Sequence, residues 1–343
     1  MPIRGLDAEL IGRWRQIQAL NPDLASPFFA PEFALAAADQ TPGCKVVVAR
    51  DGGKVAGFFP FQSGSLGRQG AIDRVFLSLG VACPVGRNLS ERHGLIAMPG
   101  FNIDPLALLE AGRIYAWDFH RLPLTQPVLL PFRTGVSDWH RIDLTGGYAD
   151  FVERMAAKGS RFLPQTAMKA RQLTRDHGPL RFETDVTDPR LIDTVLAWRE
   201  RYHESVRAID GMDRPKTRAF LSTLQKMSSE SFSGQFSLLY AGERLAAGHF
   251  GLANKNEMAY GFLGYDDELA RYSPGVILLL RLIETAAARG IGRFDLGTGE
   301  QRYKQQLRTH TFQLATGSLM RNSLISWYRQ RKSKMPTSRA GSA

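Results

Sequence analysis

Residues 249 to 304 concentrate the side chains best suited to chemistry. Ser273-Pro274-Gly275 opens a long apolar run, and Arg271 precedes it. Serine followed by proline is an efficient helix start, because the first turn has no use for the N–H that proline lacks. A helix N-terminus gathers unpaired N–H groups and the positive end of the dipole, which suits a phosphate or diphosphate. With Pro274 unable to donate, Gly275, Val276 and Ile277 are the expected donors, Ser273 stands beside them, and Arg271 adds a charge-assisted contact. The dipole alone contributes about 0.3–1 kcal/mol, so tight anion binding needs the donors and the arginine together. The same residues also read as a plain capped helix with a flexible arginine nearby.

Downstream, Gly290 reads as the glycine just past the helix end. Phe294-Asp295-Leu296 follows as a strand, then Gly297-Thr298-Gly299 and Glu300-Gln301-Arg302-Tyr303-Lys304. The order strand, anion-binding turn, helix, strand, glycine loop brings donors and polar side chains to one end of a sheet, where mixed α/β folds place their ligand crevices. His249, Asp295, Tyr303 and Lys304 are the candidate catalytic groups. Each has a plain structural alternative: a packed strand histidine, a carboxylate bonded to a loop N–H, a tyrosine–lysine packing pair. The seven histidines show no metal-ligand spacing, so no metal is expected.

These groups need a framework. Leu6, Leu10, Ile11, Trp14, Ile17 and Leu20 form a helical stripe, and Pro31–Gln40 reads as a second helix. Cys44–Gln62 reads as a hairpin turning at Asp51-Gly52-Gly53. Strands are expected at Arg74–Leu79 and Leu95–Met98, a helix at Pro105–Ile114, and an apolar strand or loop at Pro127–Pro131. Phe132–Trp139 reads as a breakpoint. Beyond it come a strand at His140–Leu144 and a helix from Tyr148 that Gly159 and Pro164 should break. A second helical piece runs to Asp176, with further helices at Asp188–Ala208 and Lys216–Met227. A second hairpin joins Phe236–Tyr240 to Arg244–Leu252, followed by a strand at Glu257–Tyr265, a helix at Pro274–Arg289 and a strand at Gly292–Leu296. Gly52-Gly53-Lys54-Val55-Ala56-Gly57 lines up with Gly242-Glu243-Arg244-Leu245-Ala246-Ala247, which points to two similar mixed α/β domains.

At about 150 residues per domain, 343 residues make roughly two. The formal net charge is +11, unevenly placed. Arg154–Arg181 holds seven cations and one acid, Asp176, for +6. The tail from Arg321 to Ala343 holds six cations and no acid, again +6, so the remainder sums to −1. The tail reads as disordered and either simply solvated or in peripheral contact with an anionic membrane or RNA. Two cysteines, Cys44 and Cys83, exclude a disulfide scaffold or a cysteine-rich zinc module. No run approaches a membrane span, and Met1–Leu20 carries charges where a secretory signal needs an apolar core. A reduced, cytoplasmic protein is expected. No helix-turn-helix, RNA-binding aromatic motif or zinc signature supports a dedicated nucleic-acid regulator, and no DNA partner is expected.

Arg271-Tyr272-Ser273-Pro274-Gly275, the helix after it, Phe294-Asp295-Leu296-Gly297-Thr298-Gly299 and Tyr303-Lys304 resemble the CelD-like acyltransferases of the GCN5-related N-acetyltransferase (GNAT) superfamily, a family associated with cellulose and exopolysaccharide biosynthesis. The resemblance is best over about residues 145–310 and only general in the N-terminal half. It implies a mixed α/β (α+β) fold of tandem GNAT-like domains, each a mostly antiparallel sheet flanked by helices, arranged as in Fem-type peptidyl transferases. The corresponding domains are 1–136, degenerate in motif, and 137–320, the acyltransferase, with 321–343 as the basic tail. Arg271–Val276 departs from the superfamily's usual diphosphate loop, Gln/Arg-x-x-Gly-x-Gly/Ala, at both glycine positions.

The implied reaction is direct acyl transfer from acetyl-CoA or another acyl-CoA to an amine or hydroxyl of a small-molecule or glycan-intermediate acceptor. Such transfer requires a base, oxyanion donors and an acid for the thiolate. His249 suits the base, Tyr303 the acid, and Lys304 the neutralisation of developing charge. Arg154–Arg181 becomes a candidate surface for an anionic acceptor. Two other readings share the fold: a Fem-type transferase using aminoacyl-tRNA, and a non-catalytic partner of polysaccharide-export machinery.

Overall fold

The computed structural model describes residues 1–64, 80–205, 214–229 and 231–321. The chain forms two compact units. One comprises Met1–Ile17, Pro42–Val136 and the chain from Leu314; the other comprises Gln18–Thr41 and Ser137–Gln313.

In the first unit, α1 (Ala8–Leu20) buries Trp14, whose ring stacks on Phe58 at 4.8 Å. The chain then gives α2 (Pro31–Gln40) to the second unit and returns as the hairpin β1 (Cys44–Asp51) and β2 (Lys54–Ser63). Gly52 and Gly53 both take positive φ, the geometry that lets a tight turn follow the strand twist. Next come β3 (Val81–Cys83), β4 (Ile96–Ala97), α3 (Pro105–Gly112) and β5 (Ala116–Pro123). With the Leu314–Met320 part of the last strand, β13 (His310–Met320), the order is β1-β2-β3-β5-β13, and β4 also pairs with β2. The β3–β5 pair is parallel; β1–β2, β2–β3, β2–β4 and β5–β13 are antiparallel. Phe59, Trp117 and Phe119 dominate the core, with Phe59 edge-on to Trp117 at 4.9 Å.

The second unit opens with the Ser137–Asp143 part of β6 (Arg133–Asp143), then α4 (Gly147–Ala157), α5 (Phe162–His177), β7 (Leu180–Glu183), α6 (Pro189–Ser205) and α7 (Arg214–Lys226). It continues through β8 (Ser228–Ser229), β9 (Phe232–Ala241), β10 (Arg244–Ala253) and β11 (Glu257–Tyr265) to α8 (Pro274–Ala288), β12 (Arg293–Gly297) and α9 (Arg302–Leu307). The sheet order is β6-β12-β11-β10-β9-β7, with β8 on β9. Only β11 and β12 run parallel in that sequence of pairs. Leu278, Leu279, Leu282 and Ile283 of α8 pack into a core with Met258, Phe294 and Leu296. The helix ends in a Schellman motif: Gly290 N–H donates to Ala287 O at 2.9 Å and Ile291 N–H to Ala286 O at 3.0 Å. The fold is therefore a mixed α/β one, with mostly antiparallel sheets flanked by helices.

The breakpoint expected at Phe132–Trp139 contains a boundary between the two units, Val136/Ser137, although β6 runs through it unbroken from Arg133. One local expectation needs correcting. Gly159, at φ 68°, does separate α4 from α5, but Pro164 breaks nothing. It sits in the first turn of α5, where no N–H is required. Pro127–Pro131 takes the loop alternative, with a short 3-10 turn over Leu130–Phe132. The strand expected at Arg74–Leu79 and the basic tail beyond Arg321 lie outside the described residues, as do the last residues of the helix expected at Asp188–Ala208. Among the described residues no helix is long and apolar enough to cross a membrane.

Candidate active site

Two parallel strands that should run together part company. The β11–β12 ladder spans only Glu257↔Arg293, Met258↔Phe294 and Ala259↔Asp295, yet β11 continues to Tyr265. Tyr260 is the first residue past the fork. On its other side β11 pairs with β10 through a bulge: Phe250 faces Phe262 and Leu252 faces Ala259, so three steps on β11 match two on β10. Tyr260 and Gly261 there stand opposite the single residue Gly251, and the Gly261 N–H donates to His249 Nε2 at 3.1 Å.

That bond decides what His249 can do. The ring is fully buried and stacks on Tyr260 at 4.7 Å. Burial drives its pKa down to about 3, so it is neutral at ordinary pH. Nε2 accepts from Gly261, which leaves the proton on Nδ1, and Nδ1 has no partner. The general-base role expected of His249 does not fit this placement, because no lone pair is available to take a proton.

Tyr303 of α9 lies edge-on to Tyr260 at 6.4 Å. The two phenols are close enough to interact, and the Tyr260 hydroxyl is buried. Burial raises Tyr303 to about 12 and Tyr260 well above the ordinary phenol value, so both keep their protons. Two residues of α6 complete this wall: Arg199, whose guanidinium lies 5.0 Å over the Phe262 ring, and Tyr202, close enough to act on the Tyr303 phenol electrostatically. Sequence reading missed Tyr260, Arg199 and Tyr202. The last two lie on an amphipathic helix some hundred residues before α9, and no local spacing links them to it.

Asp295 and Lys304 hold the loop beside the fork. Asp295 Oδ1 accepts from Trp139 Nε1 at 2.5 Å and from Gly297 N–H at 2.8 Å, and the residue is 2% exposed. Lys304 is buried and its Nζ donates to the Thr298 carbonyl. Both act on the Gly297–Gly299 turn.

At the N-terminus of α8 the expected donor set is reduced. Val276 and Ile277 N–H both donate to Ser273 O, at 3.0 and 3.2 Å, so among the expected donors only Gly275 N–H remains without a backbone bond. Gly275 is also a packing glycine: a Cβ there would meet Leu263 Cδ2 at 3.0 Å. Ser273 occupies the cap position at φ 54°, left-handed for a non-glycine residue, and its side chain does not cap. Its Oγ instead accepts from Lys169 Nζ at 2.8 Å. Lys169, from α5, is a second cation at this end that sequence reading placed only in a basic run. Arg271 is mostly exposed, stacks over Tyr272 at 4.5 Å, and reaches both the Tyr272 hydroxyl and Asp176, the latter at 3.7 Å. The hydrogen bond from Tyr272 holds the Asp176 carboxyl below its ordinary value, with the arginines adding to it. Among the described residues no cluster of His, Cys, Asp and Glu is arranged to hold a metal ion.

Residues 161–305 match the family model described as an acetyltransferase (GNAT) domain. No curated protein matches the sequence. Several solved structures share the fold. FemX aligns with a TM-score of 0.57 at 8% identity over 90% of this chain and 94% of its own. The C-terminal DUF2156 domain of a lysylphosphatidylglycerol synthetase candidate from Agrobacterium fabrum aligns at 0.55 and 14%, over 95% and 96%. A tandem GNAT protein from the clavulanic acid biosynthesis pathway aligns at 0.50 and 14%, over 93% and 97%. At such identities the likeness is one of fold. The forked parallel strands lie within the segment that matches the acetyltransferase (GNAT) domain model, so the second unit carries the likeness to that domain, and acyl transfer is the activity the match supports.

Proposed function

We propose that the protein transfers an acyl group from a coenzyme A thioester directly to an amine or hydroxyl acceptor. The observation that carries this reading is the fork between β11 and β12, with the Tyr260 and Tyr303 phenols and the unpartnered Nδ1 of buried His249 beside it. Coenzyme A, when bound, supplies a thioester-activated acyl group, a diphosphate and an amide-bearing arm. Gly275 N–H, Ser273, Lys169 and Arg271 suit the diphosphate, and the edge of β11 beyond Ala259 suits pairing with amides. Tyr303 keeps its proton on Oη and offers a hydrogen bond to negative charge developing beside it. Tyr260 and Arg199 exclude water and add positive potential there. With His249 neutral and its Nε2 engaged, the acceptor's proton leaves to water.

Within this class, Ser273-Pro274-Gly275, Asp295-x-Gly297-x-Gly299 and Tyr303-Lys304 support a CelD-like enzyme whose acceptor is a small sugar or an intermediate of cellulose or exopolysaccharide assembly. The reading takes 137–320 as the catalytic domain and 1–136 as its degenerate counterpart, in the cytoplasm. A second reading, transfer from aminoacyl-tRNA, is favoured by one observation: α8 keeps a single unpaired N–H from the expected set, few donors for a diphosphate.

Thermal shift separates the two. Ligand at roughly a hundredfold over its Kd stabilises by about 2.7 kcal/mol. Acetyl-CoA should raise Tm in the wild type, and Lys169→Ala with Arg271→Ala should remove the rise. No shift with any acyl-CoA would overturn the proposal, and a shift with charged tRNA alone would establish the second reading.

A further inference from the structure

The first unit has a parallel pair of its own, and it too parts. β3 and β5 pair only at Val81↔Ala116 and Ala82↔Trp117, while β5 runs on to Pro123 with β13 on its other edge. The chain from Pro84 to Leu95 carries no strand, and side chains pin it to β5 and to the turn after it. Arg121 Nη1 donates to the Asn88 and Ser90 carbonyls at 2.8 and 2.9 Å, and Gln126 Oε1 accepts from the Leu95 N–H at 2.8 Å. His93 Nε2 accepts from the N–H groups of both His120 and Arg121, at 3.2 and 3.1 Å. Those two N–H groups fall at a bulge, where Leu122 faces Ala315 and Phe119 faces Gly317.

This pattern fixes the tautomer of His93. With Nε2 accepting, the proton lies on Nδ1, and Nδ1 has no partner. The His120 ring lies 4.9 Å away, and neither of its nitrogens has a partner. The Trp117 ring stands edge-on to His93 at 6.0 Å, and its Nε1–H is unpartnered as well. His93 is 6% exposed and Trp117 0%, whereas His120 is half-buried and gives the cluster an approach from the surface. Three neighbouring rings thus present three N–H donors and one lone pair. Buried polar atoms are nearly always paired, so four without partners in one cluster call for an occupant. The charged side chains acting on the two imidazoles are Arg121 and, on His93, Arg92 as well; both are cations.

We propose that His93, Trp117 and His120 form a second ligand site, for a small carboxylate, which accepts N–H bonds from the three rings. A carboxylate supplies the acceptors this donor set lacks and brings no donor of its own, and the two arginines favour it over an ammonium group. The site lies wholly within the first unit, apart from the one proposed for the acyl donor, and its test uses no thioester.

The probe is sodium acetate, exchanged for sodium chloride at constant ionic strength in the full chain labelled with nitrogen-15. The indole N–H signal that disappears in Trp117→Phe should shift saturably with acetate, and the ring signals of His93 and His120 should move with the same midpoint. Sodium phosphate in the same exchange should leave all three in place. Trp117→Phe removes one donor and keeps an aromatic ring in the core; it should weaken acetate binding, read at the histidine signals, at least about tenfold. His120→Asn, at a half-buried position, should weaken it as much, read at the Trp117 indole. The wild-type exchange decides even where a variant fails to fold. Signals unmoved by acetate, signals moved as far by phosphate, or acetate affinity unchanged in both variants would overturn the proposal, leaving ordered water as the occupant.

Discussion

At the scale of single residues, the main outcome is a reassignment of His249. A histidine on a strand before an anion-binding turn has the chemistry of a base, and the sequence holds nothing against that. What removes the role is a bulge: Gly261 loses its ladder partner, and the imidazole supplies the acceptor. His249→Ala should lower stability by about 2–4 kcal/mol in urea denaturation, since it leaves a buried N–H unpaired and a cavity beside Tyr260. His249→Gln, whose amide oxygen can accept the same N–H, should recover part of this. General-base catalysis contributes about 10²–10⁴-fold, so folded His249→Gln losing less than about tenfold in transfer rate marks a positioning residue. A hundredfold loss would restore the base. For Tyr303→Phe we expect kcat to fall about 10–100-fold with KM little changed, as for a group that acts only in the transition state.

At the scale of elements, the site depends on how closely α6 and α8 approach β11. A Cβ on Gly264 would fall 2.3 Å from Val195 O, a backbone atom of α6 that cannot move away alone. A Cβ on Gly275 meets side chains rather than backbone, the end of Leu263 at 3.0 Å and Tyr265 Cδ1 at 3.4 Å. Gly264→Ala should thus cost about 2–3 kcal/mol by chemical denaturation, and Gly275→Ala about 1 kcal/mol or less. Equal effects would mean the α6–β11 spacing is softer than the geometry indicates. The helices and hairpins of this region were legible because their periodicity and caps are local. β5, β7 and β13 were not, as short or mixed strands without strong alternation that are defined by their partners. For the same reason the fork could not be read: it depends on where the β11–β12 ladder stops, and pairing is a property of two distant segments.

At the scale of the whole molecule, buried neutral histidines occur in both units. In the first, His93 and His120 lie 4.9 Å apart, and His93 Nε2 accepts from the N–H groups of His120 and Arg121. Burial lowers His93 well below its ordinary value and His120 to about 3, as it does His249 in the second. Folded values below the unfolded one of about 6.5 mean that the unfolded chain binds the extra protons. Stability is fully present above about pH 6.5 and falls as pH drops toward 3, by at most about 1.4 kcal/mol per pH unit per histidine. Tm measured from pH 7.5 to 4.5 should decline steeply, and less steeply in His249→Gln. A flat profile in the wild type would contradict the burial of these rings.

The sequence by itself determined the mixed α/β class, the uneven charge, the helix start at Ser273-Pro274-Gly275 and the motif that points to acyl transfer, because composition, periodicity and capping act over a few residues. Tertiary structure alone decided how the candidate groups are placed. It closed the Nε2 of His249, bound Asp295 and Lys304 to the Gly297–Gly299 turn, engaged two of the three expected N–H donors, and brought Lys169, Arg199, Tyr202 and Tyr260 to the site. A side chain's protonation and hydrogen bonds follow from burial and from partners distant in sequence, which no local pattern encodes.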